Sequence, residues 1–174
     1  RKTPGTSRED SMSDTAQGQT AAHREFFKVR YRDTDVQGHL YFANYLVFAD
    51  EAAGTYMSSL GFDWSDPAGT PCLVFTVNIN IDYLDECRIE DTVRAEVGYS
   101  RLGNSSAQLD FALFNDACGT ALARGHIRQV FVDRESRRST PIPAALRAAA
   151  AKTPSAAAAG PRGSGPPPPV RSPT

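Results

Sequence analysis

The stretch YRDTDVQGHLYFANYLVFADEA, Tyr31 to Ala52, decides the fold. Two aspartates flank a threonine, a glycine and a histidine follow, and then a long apolar run begins. In that run Tyr45, Ala49, Ala52 and Tyr56 recur at helical spacing with Phe48 alongside, while Phe42, Leu46 and Ala53 widen the apolar surface. The spacing predicts a helix from about Tyr41 to Leu60, stopped at Gly61 because glycine readily takes the left-handed conformation that ends helices. A helix apolar around so much of its girth needs cover on most sides.

The cover comes from strands. Upstream, EFFKVRYRD alternates. Downstream, FTVNINIDY sets Val77, Ile79 and Ile81 against Asn78, Asn80 and Asp82. TVRAEVGYS and AQLDFALF alternate likewise, and ALARGHIRQVFVD reads as a long last strand. The turn signals DECRIED, RLGNSS and NDACGT separate them. This order predicts an α+β layer, an antiparallel sheet of about five strands wrapped around one long central helix. A lone sheet leaves its edges open, and a dimer joining sheets edge to edge would cover them.

Composition bounds the rest. Residues 1–22 are polar and non-periodic and are expected to be a disordered extension. Met12 opens MSDTAQGQT as a protein start would, so residues 1–11 are expected to be upstream sequence or a processing remnant and are set aside. Residues 23–143 form the dense domain. Residues 144–174 are expected to give a short alanine-rich helix and then a disordered tail, since nine of the twelve prolines lie from Pro141 onward. No apolar run approaches the roughly 20 residues that span a bilayer, so no membrane partner is expected. Cys72, Cys87 and Cys118 are widely spaced and odd in number, which fits a reducing, cytoplasmic setting and neither a disulfide framework nor a metal site. Residues 23–140 carry 12 basic and 17 acidic side chains, a net charge of −5 that does not suit nucleic acid.

Asp35 sits after the first strand and just before the helix. A helix N-terminus offers unpaired N–H groups and a partial positive charge, which can hold an oxyanion forming on an attacked carbonyl. A carboxylate beside it can attack that carbonyl or draw a proton from water. Gly38 lets the backbone come close to a ligand in the turn. The same Asp-Thr-Asp is also ordinary capping and turn chemistry, and His39 is also an ordinary turn residue.

Tyr31, Asp33-Thr34-Asp35, Gly38, Tyr41 and Tyr45 resemble the Y-x-D-T-D-x-x-G-x-x-Y-x-x-x-Y signature of hotdog-fold acyl-CoA thioesterases, in the 4-hydroxybenzoyl-CoA thioesterase and YbgC-like group. IDYLDECRIEDTVRAE, with Tyr83, Arg88 and Asp91, and STPIPAALRAA, with Pro141 and Pro143, extend the resemblance to about residues 26–150. It implies a hotdog fold, a homodimer or homotetramer, and active sites between subunits. It places the catalytic carboxylate on Asp35 and the carbonyl-polarising backbone N–H groups near Phe42. Tyr31 matches a tyrosine that accompanies the aspartate. Tyr41, Phe42 and Tyr45 would lie against the acyl group. Phe42 departs from the group, many of whose members carry a histidine there, and phenylalanine donates no side-chain hydrogen bond. His39 is a possible substitute.

Other hotdog enzymes place an acid on the central helix. Here Asp50 shares a helical line with Ala43, Leu46 and Met57, and a structural ion pair across a dimer suits it, while Glu51 reads as solvated. Coenzyme A brings phosphates, for which Arg101, Arg128 and Arg138 are candidates, with Arg124, Arg134 and Arg137 nearby in sequence. The expected activity is hydrolysis of an acyl-CoA thioester, with no cofactor beyond the coenzyme A of the substrate. Two other classes compete. A hotdog dehydratase would need a catalytic-histidine motif, and His23, His39 and His126 form none. A non-catalytic module binding acyl-CoA or an acyl carrier protein would not need Asp35.

Overall fold

The computed structural model describes residues 22–152; the expectations for residues 1–21 and 153–174 lie outside the described residues. Five strands, β1 (His23–Lys28), β2 (Leu73–Tyr83), β3 (Thr92–Leu102), β4 (Ser106–Asn115) and β5 (Ala121–Val132), form one sheet. Its order is β1-β3-β4-β5-β2 and every pairing is antiparallel. The 18-residue helix α1 (Phe42–Ser59) packs on one face, chiefly against β3, β1 and β4.

The helix and sheet meet as the periodicities require. On β3 and β4, Val93, Ala95, Val97, Leu109, Phe111 and Leu113 turn toward α1 and are buried. Ala49, Ala52 and Ala53 bring the helix backbone close to them, and Tyr45, Phe48, Tyr56 and Met57 fill the flanks. The Phe48 ring stacks on Phe27 of β1 with centroids 4.9 Å apart. Full burial of each large apolar side chain contributes about 1.5–3 kcal/mol. Ile142, Leu146 and Ala150 bring helix α2 (Ala144–Ala150) into the same core.

Helix α1 ends where glycine directs. Gly61 has φ +101°, its N–H reaches Ser58 O at 3.1 Å, and Phe62 N–H reaches Met57 O at 3.1 Å. This double bond closes the last turn in a Schellman motif.

Two local expectations are corrected. The strand predicted through EFFKVRYRD ends at Lys28. Val29 still pairs with Glu90 and Asp91, but the Asp33 carboxylate then accepts Arg30 N–H at 2.8 Å and winds Tyr31–Asp33 into a 3-10 turn. On β2, Val77 is the extra residue of a bulge between Thr76 and Asn78. Ile79, Ile81 and Tyr83 beyond it share the α1 side with their partners Ile127, Gly125 and Ala123.

The sheet has two edges, β1 and β2. The β2 edge exposes Phe75, Val77 and Ile79, an unusual run of apolar side chains for an unpaired strand. The face away from α1 is polar. There Glu96 is buried, held by Arg24 Nε at 3.0 Å and Arg94 Nε at 3.2 Å.

Gly125 on β5 leaves no room for a side chain beside β2. A Cβ there would lie 2.0 Å from Asn80 O and 2.7 Å from the Phe111 ring. Gly125→Ala is expected to lower stability by roughly 2–3 kcal/mol through overpacking. The urea midpoint measures this, and an unchanged midpoint would contradict the close approach.

Candidate active site

The two aspartates do not cap α1, whose N-cap residue is Tyr41 and makes no side-chain cap bond. Each acid instead closes its own turn. Asp33 Oδ2 accepts Arg30 N–H, as above, and Asp35 Oδ1 accepts the N–H groups of Gln37 at 2.8 Å and His39 at 3.3 Å. Asp35 N–H reaches His39 O at 2.9 Å and Gly38 N–H reaches Asp35 O at 3.0 Å. Gly38 is required for its φ of +79°, which strains any residue with a Cβ. Asp35 Oδ2 takes part in no hydrogen bond among the described residues.

The loop is tied to the helix through one carbonyl. Asp33 O accepts both Tyr41 N–H and Asn44 Nδ2 at 2.9 Å. Asn44 N–H in turn reaches Tyr41 O at 2.8 Å. That leaves the N–H groups of Phe42 and Ala43 without an acceptor among the described residues. They are the orphan donors of a helix start, at its positive end.

The connection between β2 and β3 braces this arrangement from the other side. Leu40 N–H reaches Cys87 O at 2.7 Å, and Tyr45 OH donates to Asp85 O at 3.3 Å. Tyr83 OH donates to Phe42 O at 3.0 Å, and its ring meets Tyr45 edge-on at 5.4 Å. His39 is committed elsewhere than to the Asp35 carboxylate through its ring. Its Nε2 lies 3.2 Å from Glu86 Oε2, and Glu86 also pairs with Arg88 at 2.6 Å.

The remaining expected residues divide into two groups. Tyr41 and Phe42 stand at the helix start with rings 4.5 Å apart, both exposed. Tyr45 lies beneath them, buried and covered by Tyr83. Tyr31 projects from the 3-10 turn and is 84% exposed. The arginines lie elsewhere. Arg101, Gln108 and Arg128 are register partners across β3, β4 and β5, on the sheet face away from α1. Arg138 follows the C-terminal end of β5, whereas Asp35 lies at the end of the sheet where β5 begins. Arg134 is bound to Pro67 O and to Thr70, and Arg137 lies 5.1 Å over the Phe75 ring. Asp50 and Glu51 are exposed, and Asp50 lines a cleft of about 360 Å³ with Met57, Trp64, Thr76 and Gln129.

The sequence pattern singles out neither Asn44 nor Glu86. Tyr83 stands out there only by its spacing to Arg88 and Asp91. An amide in the first turn of a helix is a weak sign of a bond back to the preceding loop. Phe42, the partner of Tyr83, and His39, the long-range partner of Glu86, lie 41 and 47 residues away and leave no sequence signal.

Together these parts can accept a carbonyl compound. A carboxylate with one free oxygen, two unpaired N–H donors at a helix start and an aromatic wall suit the polarisation of a carbonyl and the addition of water to it. The comparisons agree in kind. Residues 29–150 match the family model described as the thioesterase-like superfamily. The chain belongs to the thioesterase-like superfamily. A 1,4-dihydroxy-2-naphthoyl-CoA hydrolase of Thermosynechococcus vestitus is 30% identical over 121 residues, covering 69% of this chain and 82% of that protein. A crystal structure of a Pseudomonas aeruginosa protein superposes with TM-score 0.70 at 32% identity, covering 77% of this chain and 92% of that one. A thioesterase from Thermus thermophilus, solved with coenzyme A and zinc, superposes with TM-score 0.63 at 27% identity, covering 73% and 90% respectively. This thioesterase-like chain therefore has solved relatives along almost their whole length.

Two buried acids behind the site carry a pH prediction. Burial, with Cys87 nearby, pushes the Tyr45 phenol up from 10.0 to about 12. Burial, with Asp91 beside it, pushes the Cys87 thiol up from 9.0 to about 12. Both groups keep their protons longer folded than unfolded, so the native state binds more protons above pH 9. Stability is expected to be fully present below about pH 9 and to fall as pH rises toward 12. Urea midpoints at pH 8, 10 and 11 check this, and Cys87→Ala should weaken the decline. A flat or rising midpoint would overturn it.

Proposed function

We propose that this chain hydrolyses an acyl-CoA thioester to the free acid and coenzyme A. The observation that carries the reading is the uncapped start of α1, whose Phe42 and Ala43 N–H groups are unpaired while the Asp35 turn is held against it by Asp33 O. In this reading the thioester carbonyl oxygen sits on those donors. Asp35 presents Oδ2 to the carbonyl carbon, either as nucleophile or through a water that it deprotonates. The thiolate leaves with a proton. A single turnover in ¹⁸O water identifies the nucleophilic route when Asp35 gains a solvent oxygen, which requires an Asp35–acyl anhydride opened by water at the aspartyl carbon. No metal or cofactor enters beyond the coenzyme A of the substrate.

The names of the relatives support a coenzyme A ester, and the hydrolase from Thermosynechococcus vestitus supports an aromatic acyl group. The acyl group would lie against Tyr41 and Phe42, with the buried Tyr45 behind them and out of reach. We further read α1 as the central helix of a hotdog, with the sheet wrapped around it and the β2 edges of two copies joined. A two-fold axis through the exposed β2 edge would turn the Arg138 end of a second sheet toward Asp35. That would add a further basic group for the phosphates of coenzyme A to those this chain already carries near the site, such as Arg32 and Arg88. The three free cysteines fit a cytoplasmic enzyme.

Binding without turnover is the second reading, and one observation favours it: Asp35 already uses Oδ1 to hold its own turn. Asp35→Asn decides between them, because the amide oxygen can keep both turn hydrogen bonds while the carboxylate is lost. Thiol release from aromatic and aliphatic acyl-CoAs is expected to fall at least about 100-fold in Asp35→Asn with binding retained. Wild-type protein that binds the panel without releasing thiol would favour the binding module instead.

A further inference from the structure

We infer that Tyr83 is a positioning residue that tunes the Ala43 N–H as an oxyanion donor through the peptide group between Phe42 and Ala43. The inference rests on the thioesterase reading and adds a residue to it. Tyr83 OH donates to Phe42 O at 3.0 Å, and that oxygen belongs to the same amide as the unpaired Ala43 N–H. A hydrogen bond at an amide oxygen draws electron density from the nitrogen and makes its N–H a stronger donor, since hydrogen bonds in a chain polarise one another. The first turn of α1 has no side-chain cap, so this phenol is the outside donor acting on that peptide among the described residues.

The phenol is well placed to do so steadily. Tyr83 stands on the α1 side of β2, opposite Ala123, and its ring meets Tyr45 edge-on with planes at 90°. Tyr45 is anchored in turn through its hydroxyl on Asp85 O. The contact therefore joins the sheet to the helix start, fixing the orientation of the amide as well as its strength. Burial raises the Tyr83 phenol above its ordinary value, so it remains a donor through neutral pH.

The test uses full-length protein and benzoyl-CoA labelled with ¹³C at the thioester carbonyl. Tyr83→Phe keeps the ring on Tyr45 and removes only the donor. Turnover of benzoyl-CoA is expected to fall about fivefold with KM little changed, because the bond matters most when charge develops on the carbonyl oxygen. In the Asp35→Asn background, which holds the ester unhydrolysed, the isotope-edited C=O band of bound benzoyl-CoA should move to higher frequency when Tyr83→Phe is added. A fluorinated tyrosine at position 83, a stronger donor of the same shape, should move it lower. A band that responds to neither change, or a rise in KM with turnover intact, overturns the inference and leaves the thioesterase reading standing. Failure of wild-type protein to hydrolyse any acyl-CoA overturns the thioesterase reading itself.

Discussion

One backbone carbonyl, Asp33 O, holds the site in register with the fold. It accepts Tyr41 N–H and Asn44 Nδ2 at the same 2.9 Å, one from the residue before α1 and one from its first turn. The loop carrying Asp35 is thereby fixed to the helix that presents the free donors. Asp35 in turn stiffens the loop by closing it on its own carboxylate oxygen. The carboxylate and the N–H groups belong to segments that could otherwise move independently. Bridged, they keep one relative geometry, and acyl transfer depends on such preorganisation.

The core supplies the force behind that geometry. Three alanines let α1 settle close to the sheet, and the large side chains on either side lock its rotation. The β2–β3 connection then presses on the helix start through Leu40, Tyr45 and Tyr83. Nearly all buried backbone groups in a folded protein are paired. The donors of Phe42 and Ala43 are not of that buried kind: they stand at a helix start where Phe42 is exposed, open to solvent or to a ligand. The residue that would cap a typical helix here is Tyr41, whose side chain makes no cap bond. Tyr41 is a poor cap by type, so the absence is written into the chain and not a fault of packing.

The arginines show how far one chain carries the site. Arg101 and Arg128 face away from α1, and Arg138 lies at the far end of β5 from Asp35. A phosphate-bearing substrate reaching Asp35 would meet none of them on the same protomer's side of the sheet. The second copy proposed above would pair along the exposed apolar β2 edge, since unpaired edges with apolar side chains invite pairing.

Much was legible in the chain itself. The period of 3.6 set α1, Gly61 set its end, and the period of 2 set the strands and their hairpin order, because burial on one face imposes those patterns locally. The Asp-Thr-Asp and Gly38 announced a structured turn before a helix. Other features depended on contacts between residues far apart. The Val77 bulge was hidden because the alternation runs through it unbroken, and only pairing with β5 reveals the extra residue. The end of β1 was hidden because Arg30 to Asp33 is as compatible with a strand as with a turn until the carboxylate chooses a donor. The sequence put two acids before a helix but did not say what they bind. Tertiary structure alone decided that both serve their own turns, that Tyr83 reaches Phe42 across 41 positions, and that the helix start keeps its donors free. The physical reason is that hydrogen-bond partners are selected by proximity in space, which the sheet register sets and local sequence does not encode.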